Sequence, residues 1–143
     1  MFYTSYFSNM SYISKCYEDS DKEFVCASIA NSQPKGFPLT KLDCFVPSWD
    51  LVGQYKAGTL PWELFANYYI QQLRALSVSD LAKLKELPVD VILMCWESPD
   101  KPCHRHLLRE FLNASGIPCE EFKTLKNTPV YDAGEIYKRL SGG

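Results

Sequence analysis

Three features of the sequence predict an α/β fold with a mostly parallel sheet. The first is Val89, Val91, Ile92, Leu93 and Met94, an apolar run rich in β-branched residues after Pro88. Such a run suits a strand buried on both faces, as parallel sheets require. The second is the helical spacing of Leu107, Leu108, Phe111 and Leu112 shortly afterwards, stopped by Gly116 and Pro118. The third is the recurrence of strand-like stretches separated by helices and long connections. Together these describe a single three-layer, Rossmann-like domain over residues 1–143, with about four or five strands.

In order, Phe2–Phe7 is aromatic and β-prone and reads as the first strand. Met10–Lys22 is ambiguous, with Asp19, Ser20 and Asp21 in a loop. Phe24–Ile29 reads as a second buried strand, running into a polar loop, Ala30–Pro38, broken by proline and glycine. Leu42–Val46 suits a short strand or extended connection. Ser48 is a good N-cap for a helix from Trp49 to about Lys56, ended by Gly58. Pro61 opens a longer helix through Leu76. Its stripe of Leu64, Phe65, Tyr68, Tyr69, Leu73 and Leu76 is what a core-facing surface looks like, rather than a platform for stacking bases. Ser79 is expected to cap a short helix over Asp80–Leu87. After the central strand and helix, Ile117–Phe122 reads as the last strand, Ala133–Leu140 as a short helix, and Ser141–Gly143 as a fraying tail.

Composition narrows the function classes. A net charge of -2 creates no global field for nucleic acid, although a local basic pocket stays open. The start lacks a basic segment followed by a long apolar one, so no secretory signal is expected. No run approaches the roughly 18 apolar residues of a membrane span. A cytoplasmic protein with reduced thiols is therefore expected. None of the six cysteines forms a C-x-x-C pair, which disfavours zinc-ribbon and thioredoxin chemistry. No cofactor is expected.

The chemistry concentrates where the central strand ends and the next helix begins. Ligands collect at the carboxyl ends of parallel strands, and helix N-termini offer unpaired N–H groups to anions. Here that corner carries Cys95, Glu97, Cys103, His104 and Arg105. Pro102 fits the first helical position, which makes Cys103 the second residue and exposes its thiol to the helix dipole, favouring the thiolate. His104 shares a face with Leu108 and Phe111 and is expected to point at the sheet. His106 lies roughly 200° around the helix, so the two histidines cannot easily share a metal. Arg105 supplies a planar fork suited to phosphate or carboxylate.

On the functional interpretation, Cys103 or Cys95 is the nucleophile, His104 the acid/base, and Arg105 and Glu97 belong to the ligand-binding set. On the structural one, Cys95 fills a strand end, His104 bonds a loop carbonyl, and Arg105 pairs with Glu97 or Glu110. A zinc site from Cys95, Cys103 and His104 is a third possibility with no common spacing behind it, and no metal is expected. A phosphatase-type cradle is disfavoured because Pro99 and Pro102 interrupt the segment between Cys95 and Arg105. If the strands are parallel neighbours, Thr4, Ser5 and Tyr6 and the loop residues Ser32, Lys35 and Gly36 converge on the same edge as further ligand contacts.

These segments resemble the family of small α/β proteins known as domain of unknown function 488. The resemblance is carried by Tyr3–Phe7, Ser32–Phe37, Val46-Pro47-Ser48, the Tyr55–Gly58 turn and Tyr69–Leu73. Its most specific part is Leu93-Met94-Cys95-Trp96-Glu97 followed by Cys103-His104-Arg105. The resemblance implies a compact α/β fold with a pocket at the Cys-His-Arg corner, and supplies no reaction, substrate or cofactor. The chain departs from it at Ala27–Asn31, where relatives tend to carry an arginine or a second serine.

The function expected is binding of a small phosphate-bearing ligand, a nucleotide or a nucleic-acid end, with thiol-dependent catalysis. The alternatives are a non-catalytic sensing or protein-interaction module, or an assembly protein that buries the Trp49–Tyr69 region. No membrane partner is expected.

Overall fold

The computed structural model describes residues 1–36 and 39–142. Phe37 and Pro38, at the end of the expected polar loop, and Gly143 of the tail lie outside the described residues. One sheet holds β1 (Phe2–Tyr6), β2 (Phe24–Ser28), β3 (Thr40–Lys41), β4 (Asp90–Cys95) and β5 (Cys119–Glu121). Its order is β3-β2-β4-β1-β5, and every pairing is parallel. The apolar run of β4 sits at the centre, with all six of its residues buried, because β1 and β2 flank it and helices cover both faces.

Around the sheet lie α1 (Met10–Tyr17), α2 (Trp49–Lys56), α3 (Trp62–Arg74), α4 (Val78–Lys85), α5 (His104–Ala114) and α6 (Gly134–Leu140). The β1-to-β2 connection moves one way across the sheet, whereas β3-to-β4 and β4-to-β5 move the other way. Right-handed crossovers therefore put α1 on one face and α2 to α5 on the other. Tyr17 of α1 stacks on Phe24 of β2 at 4.2 Å between ring centroids. On the opposite face α5 packs against β1, β4 and β5, and α3 and α6 pack against α5. This is the three-layer, Rossmann-like arrangement. Among the described residues no helix is long and apolar enough to cross a membrane.

Several elements differ from expectation. The ambiguous stretch after β1 forms α1, preceded by a 3-10 turn at Phe7–Asn9. The short strand falls at Thr40–Lys41, and Leu42–Val46 instead contains a 3-10 turn over Asp43–Phe45. That turn drives the Phe45 ring into the core, and the Tyr69 hydroxyl donates to the Phe45 carbonyl at 2.6 Å. Ser48 caps α2 as expected, its Oγ accepting from Leu51 N at 3.1 Å. The cap of α4, however, is Ser77, whose Oγ accepts from Asp80 N at 3.0 Å, so this helix begins one residue before Ser79. The inward face of α3 is Phe65, Ala66, Tyr69, Ile70 and Leu73, while Leu64 and Tyr68 are exposed. The apolar stripe is thus rotated from the one spacing suggested, taking in Ala66 and Ile70 in place of Leu64 and Tyr68.

Candidate functional site: a thiol–imidazole pair on an aromatic cavity

The sheet turns at its middle. Chains leaving the adjacent strands β1 and β4 pass to opposite faces, which opens a crevice at their carboxyl ends. Tyr6 and Cys95 are partners in register at that edge, and the next residues, Phe7 and Trp96, meet edge to face at 4.8 Å. This contact fills the β1 side. The open space lies on the β2 side, as a cavity of about 60 Å³ at the ends of β2 and β4. A single water needs roughly 10–15 Å³ of such space, so the cavity admits a small chemical group. Its floor is Cys95, Cys103 and His104. Ala30, Asn31 and Ser32 form one side, and Pro47, Trp49, Val52, Tyr55 and Lys56 of the α2 segment form another. Trp62 and Phe65 of α3, with Trp96, Glu97 and Pro102, complete it.

Local backbone geometry delivers the two sulfurs. Strand β4 ends at Cys95, and the proline-containing loop returns the chain so that Pro102 precedes the helix rather than opening it. Cys103 is the N-cap of α5, with extended φ -153 and ψ 147, and α5 itself starts at His104. Cys103 is therefore not the second helical residue. Its carbonyl accepts from His106 N at 3.0 Å, and its side chain makes no capping bond. The thiol lies instead 2.6 Å from the Cys95 sulfur. Both cysteines are free thiols, and both are buried against the cavity floor.

His104 is held in one tautomer. Its Nε2 lies 2.6 Å from the Ile29 carbonyl oxygen, which can only accept, so Nε2 carries the hydrogen. In the neutral ring Nδ1 is then the bare nitrogen, and it faces the Cys103 sulfur at 3.8 Å. Tyr69 meets the imidazole edge to face at 5.3 Å and fixes its plane. The expectation that His104 points inward is met, through the carbonyl that follows β2.

Arg105 sits behind the sulfurs and does not line the cavity. It is fully buried, and its guanidinium donates to Cys95 Sγ at 3.0 Å and to the Glu97 carbonyl at 2.6 Å from Nη1. Nε and Nη2 grip the Glu121 carboxylate at 3.1 and 2.9 Å. Burial alone would lower the Arg105 pKa. The neighbouring cysteine sulfurs and Glu121 override it and hold the guanidinium charged beyond its ordinary range. For Cys95, burial and the bond to Cys103 push the thiol well above its usual pKa, and Arg105 opposes them only in part. Cys95 therefore keeps its proton and can share it with the Cys103 sulfur.

The remaining sequence candidates divide. Ser32 lines the cavity, and its carbonyl and Oγ both accept from Trp96 Nε1 at 3.1 Å. Glu97 also lines it, half-buried, with its carboxylate within 4.8 Å of both sulfurs. Lys35 is exposed and outside the lining. Thr4, Ser5 and Tyr6 lie across β4 from the cavity. Thr4 Oγ1 donates to Glu121 at 2.7 Å and accepts from Arg109 at 2.9 Å. Ser5 accepts from Asn9 at 3.1 Å, and the Tyr6 ring lies 5.7 Å from the Arg105 guanidinium carbon. Thr4 and Tyr6 thus adjoin the Arg105–Glu121 pair, Ser5 holds Asn9, and none of the three lines the cavity.

Among the described residues, Cys95, Glu97 and Cys103 are also a set that could hold a metal ion. Two sulfurs sharing a tetrahedral zinc at about 2.3 Å each stand roughly 3.8 Å apart, well beyond the 2.6 Å found. Metal binding would have to spread the pair. His104 is outside this trio.

Sequence reasoning missed the α2 wall and the Glu121–Arg109 support. The spacing of Arg105 and Arg109, four residues apart on one helical face beside an acidic strand end, was the available signal for the latter. A family model described as the active DUF488-N3 subclade matches residues 15–116, more than half of the chain. No curated protein and no solved structure matches it.

Proposed function

The chain belongs to the DUF488 family, and we propose that it is a thiol-dependent enzyme acting on a small ligand held in the aromatic cavity. The observation that carries this proposal is the Cys103–His104 pair, with Nε2 of the imidazole tied to Ile29 and Nδ1 turned to the sulfur at the cavity floor. The Cys103 thiol gives its proton to Nδ1, and the thiolate attacks an electrophilic centre of the ligand. The imidazolium then returns the proton to the leaving group. The family description applies the word "active" to this subclade, which agrees with a catalytic role.

The walls suit a flat ring. Trp49, Tyr55, Trp62 and Trp96 offer aromatic faces, and the Glu97 carboxylate accepts from ring N–H or amino donors. The base of a nucleotide end meets both requirements. The rest of the nucleotide, too large for the cavity, extends out past Lys56, a cation of the lining, because the Arg105 donors are engaged by Glu121, Cys95 and Glu97.

The test is the rate of Cys103 alkylation by iodoacetamide as a function of pH in the wild type and in His104→Gln. Glutamine can still donate to Ile29 but cannot take the thiol proton. Near neutral pH the variant should be slower by about 10²-fold, with the difference narrowing in strong base, where hydroxide can take the proton instead of the imidazole. Equal rates at neutral pH would exclude the imidazole as base.

A further inference from the structure

We propose that Cys95 and Cys103 form a reversible disulfide, made at the expense of a hydroperoxide and undone by an external dithiol, that switches the cavity off. The two sulfurs sit 2.6 Å apart as free thiols, close to a disulfide bond of about 2.05 Å and far from the spacing of a metal-sharing pair. They come from separate elements, the end of β4 and the N-cap of α5. Each also has its own partner, since Arg105 Nη1 donates to Cys95 and Nδ1 of His104 faces Cys103. Arg105 is pinned by Glu121 on its other edge, so the donor to Cys95 stays in place as the sulfurs move.

The first step uses the same Cys103–His104 pair as the proposed function and rests on it. Cys103 passes its proton to His104, and its thiolate attacks the outer oxygen of the hydroperoxide. An S–O bond forms, the O–O bond breaks, and the leaving alkoxide takes the proton back from the imidazolium. Cys103 is now a sulfenic acid. Cys95 then attacks that sulfur, the S–S bond forms, and hydroxide departs with the Cys95 proton as water. Two thiols and one hydroperoxide have become one disulfide, one alcohol and one water. A dithiol reverses this by two exchanges and is itself oxidised to a disulfide. While the bond lasts, the cavity floor has no nucleophile. Because the resolving sulfur already touches Cys103, the sulfenic acid closes to the disulfide before a second peroxide can carry it to the irreversible sulfinic acid.

The full chain is treated with hydrogen peroxide, denatured in iodoacetamide, and mapped as peptides without reduction. The expected product links the Cys95 and Cys103 peptides, disappears with dithiothreitol, and leaves the exposed Cys16 and Cys44 alkylated. A sulfinic acid on Cys103 with Cys95 alkylated would overturn the proposal, as would a link from either cysteine to another thiol. If no link forms while Cys103 in untreated protein still alkylates with His104 dependence, the redox pair is refuted and the thiol function stands. If Cys103 neither alkylates nor oxidises, both fall.

Discussion

Arg105 and Glu121 form a buried two-pronged ion pair, with guanidinium nitrogens 3.1 and 2.9 Å from the two carboxylate oxygens. The Arg105 side chain has no exposure and that of Glu121 has 5%. The pair joins the first turn of α5 to the end of β5, and Arg109 adds a second cation on Glu121 at 3.2 Å. The same guanidinium reaches Cys95, so the ion pair fixes the back of the corner that holds the two thiols.

Removing one side of such a pair leaves a charge buried without its partner. Glu121→Gln is expected to cost about 3–5 kcal/mol, read as a lower urea midpoint in chemical denaturation. A loss below about 1 kcal/mol would mean that Arg105 finds solvent or another acceptor.

His106 is the opposite case, a buried ring whose nitrogens find no well-formed hydrogen bond among the described residues. It packs 5.6 Å from the Tyr131 ring. Burial, followed by the positive charges of Arg105 and Arg109, pushes its pKa down to about 2, and the Lys101 backbone opposes this only weakly. The folded protein therefore holds the neutral ring, while the unfolded chain takes up a proton below about pH 6.5. Stability should fall as pH drops from about 6.5 toward 2. His106→Phe keeps the ring contact and removes the titrating group. It should flatten that acid limb and raise stability by about 1 kcal/mol at neutral pH. An unchanged pH dependence in the variant would refute the assignment.

Asp90 adds a carboxylate contribution to the same limb. Although burial raises its pKa, the Tyr17 hydroxyl at 2.7 Å and the N-terminal ammonium at 3.3 Å bring it below the ordinary value. Its stabilisation is present above the unfolded aspartate pKa and is lost as pH falls through the lower folded one. Asp90→Asn should therefore lose stability at neutral pH and converge with the wild type in strong acid, as followed by thermal melting.

Much of the fold was legible because local signals and burial agree. The apolar, β-branched run of β4 suits an interior strand and forms one, and Ser48 caps α2 with the bond its type favours. The signal failed where tertiary packing decides. Pro102 is compatible with a first helical residue, yet the closeness of Cys103 to Cys95 keeps residue 103 extended and starts α5 at His104. The site was legible as a cluster, since Cys95, Glu97, Cys103 and His104 do line one cavity. Its division of labour was not. Whether Arg105 faces outward or inward depends on Glu121, which is distant in sequence and brought beside it only by the parallel pairing of β1 with β5. The α2 wall was equally hidden, because Trp49 and Tyr55 read as ordinary helical residues until α2 is laid over the strand ends.

Ser48→Ala tests that wall. Losing the cap should cost about 1 kcal/mol and loosen the α2 residues that line the cavity. Increased amide exchange across Trp49–Lys56 is the expected readout, with β4 unchanged. Uniform exchange across both segments would show that α2 does not move independently.

The central claim, that Cys103 is the reactive thiol of the chain, is tested most directly by competition among all six cysteines. Reduced protein receives less than one equivalent of iodoacetamide at neutral pH, and the label is located by peptide mapping. Burial pushes Cys26 up to about 11 and Cys119 up to about 12, and Cys95 well above its usual value. The label should fall on Cys103 ahead of the exposed Cys16 and Cys44. Label on Cys16 and Cys44 with Cys103 unmodified would contradict the account.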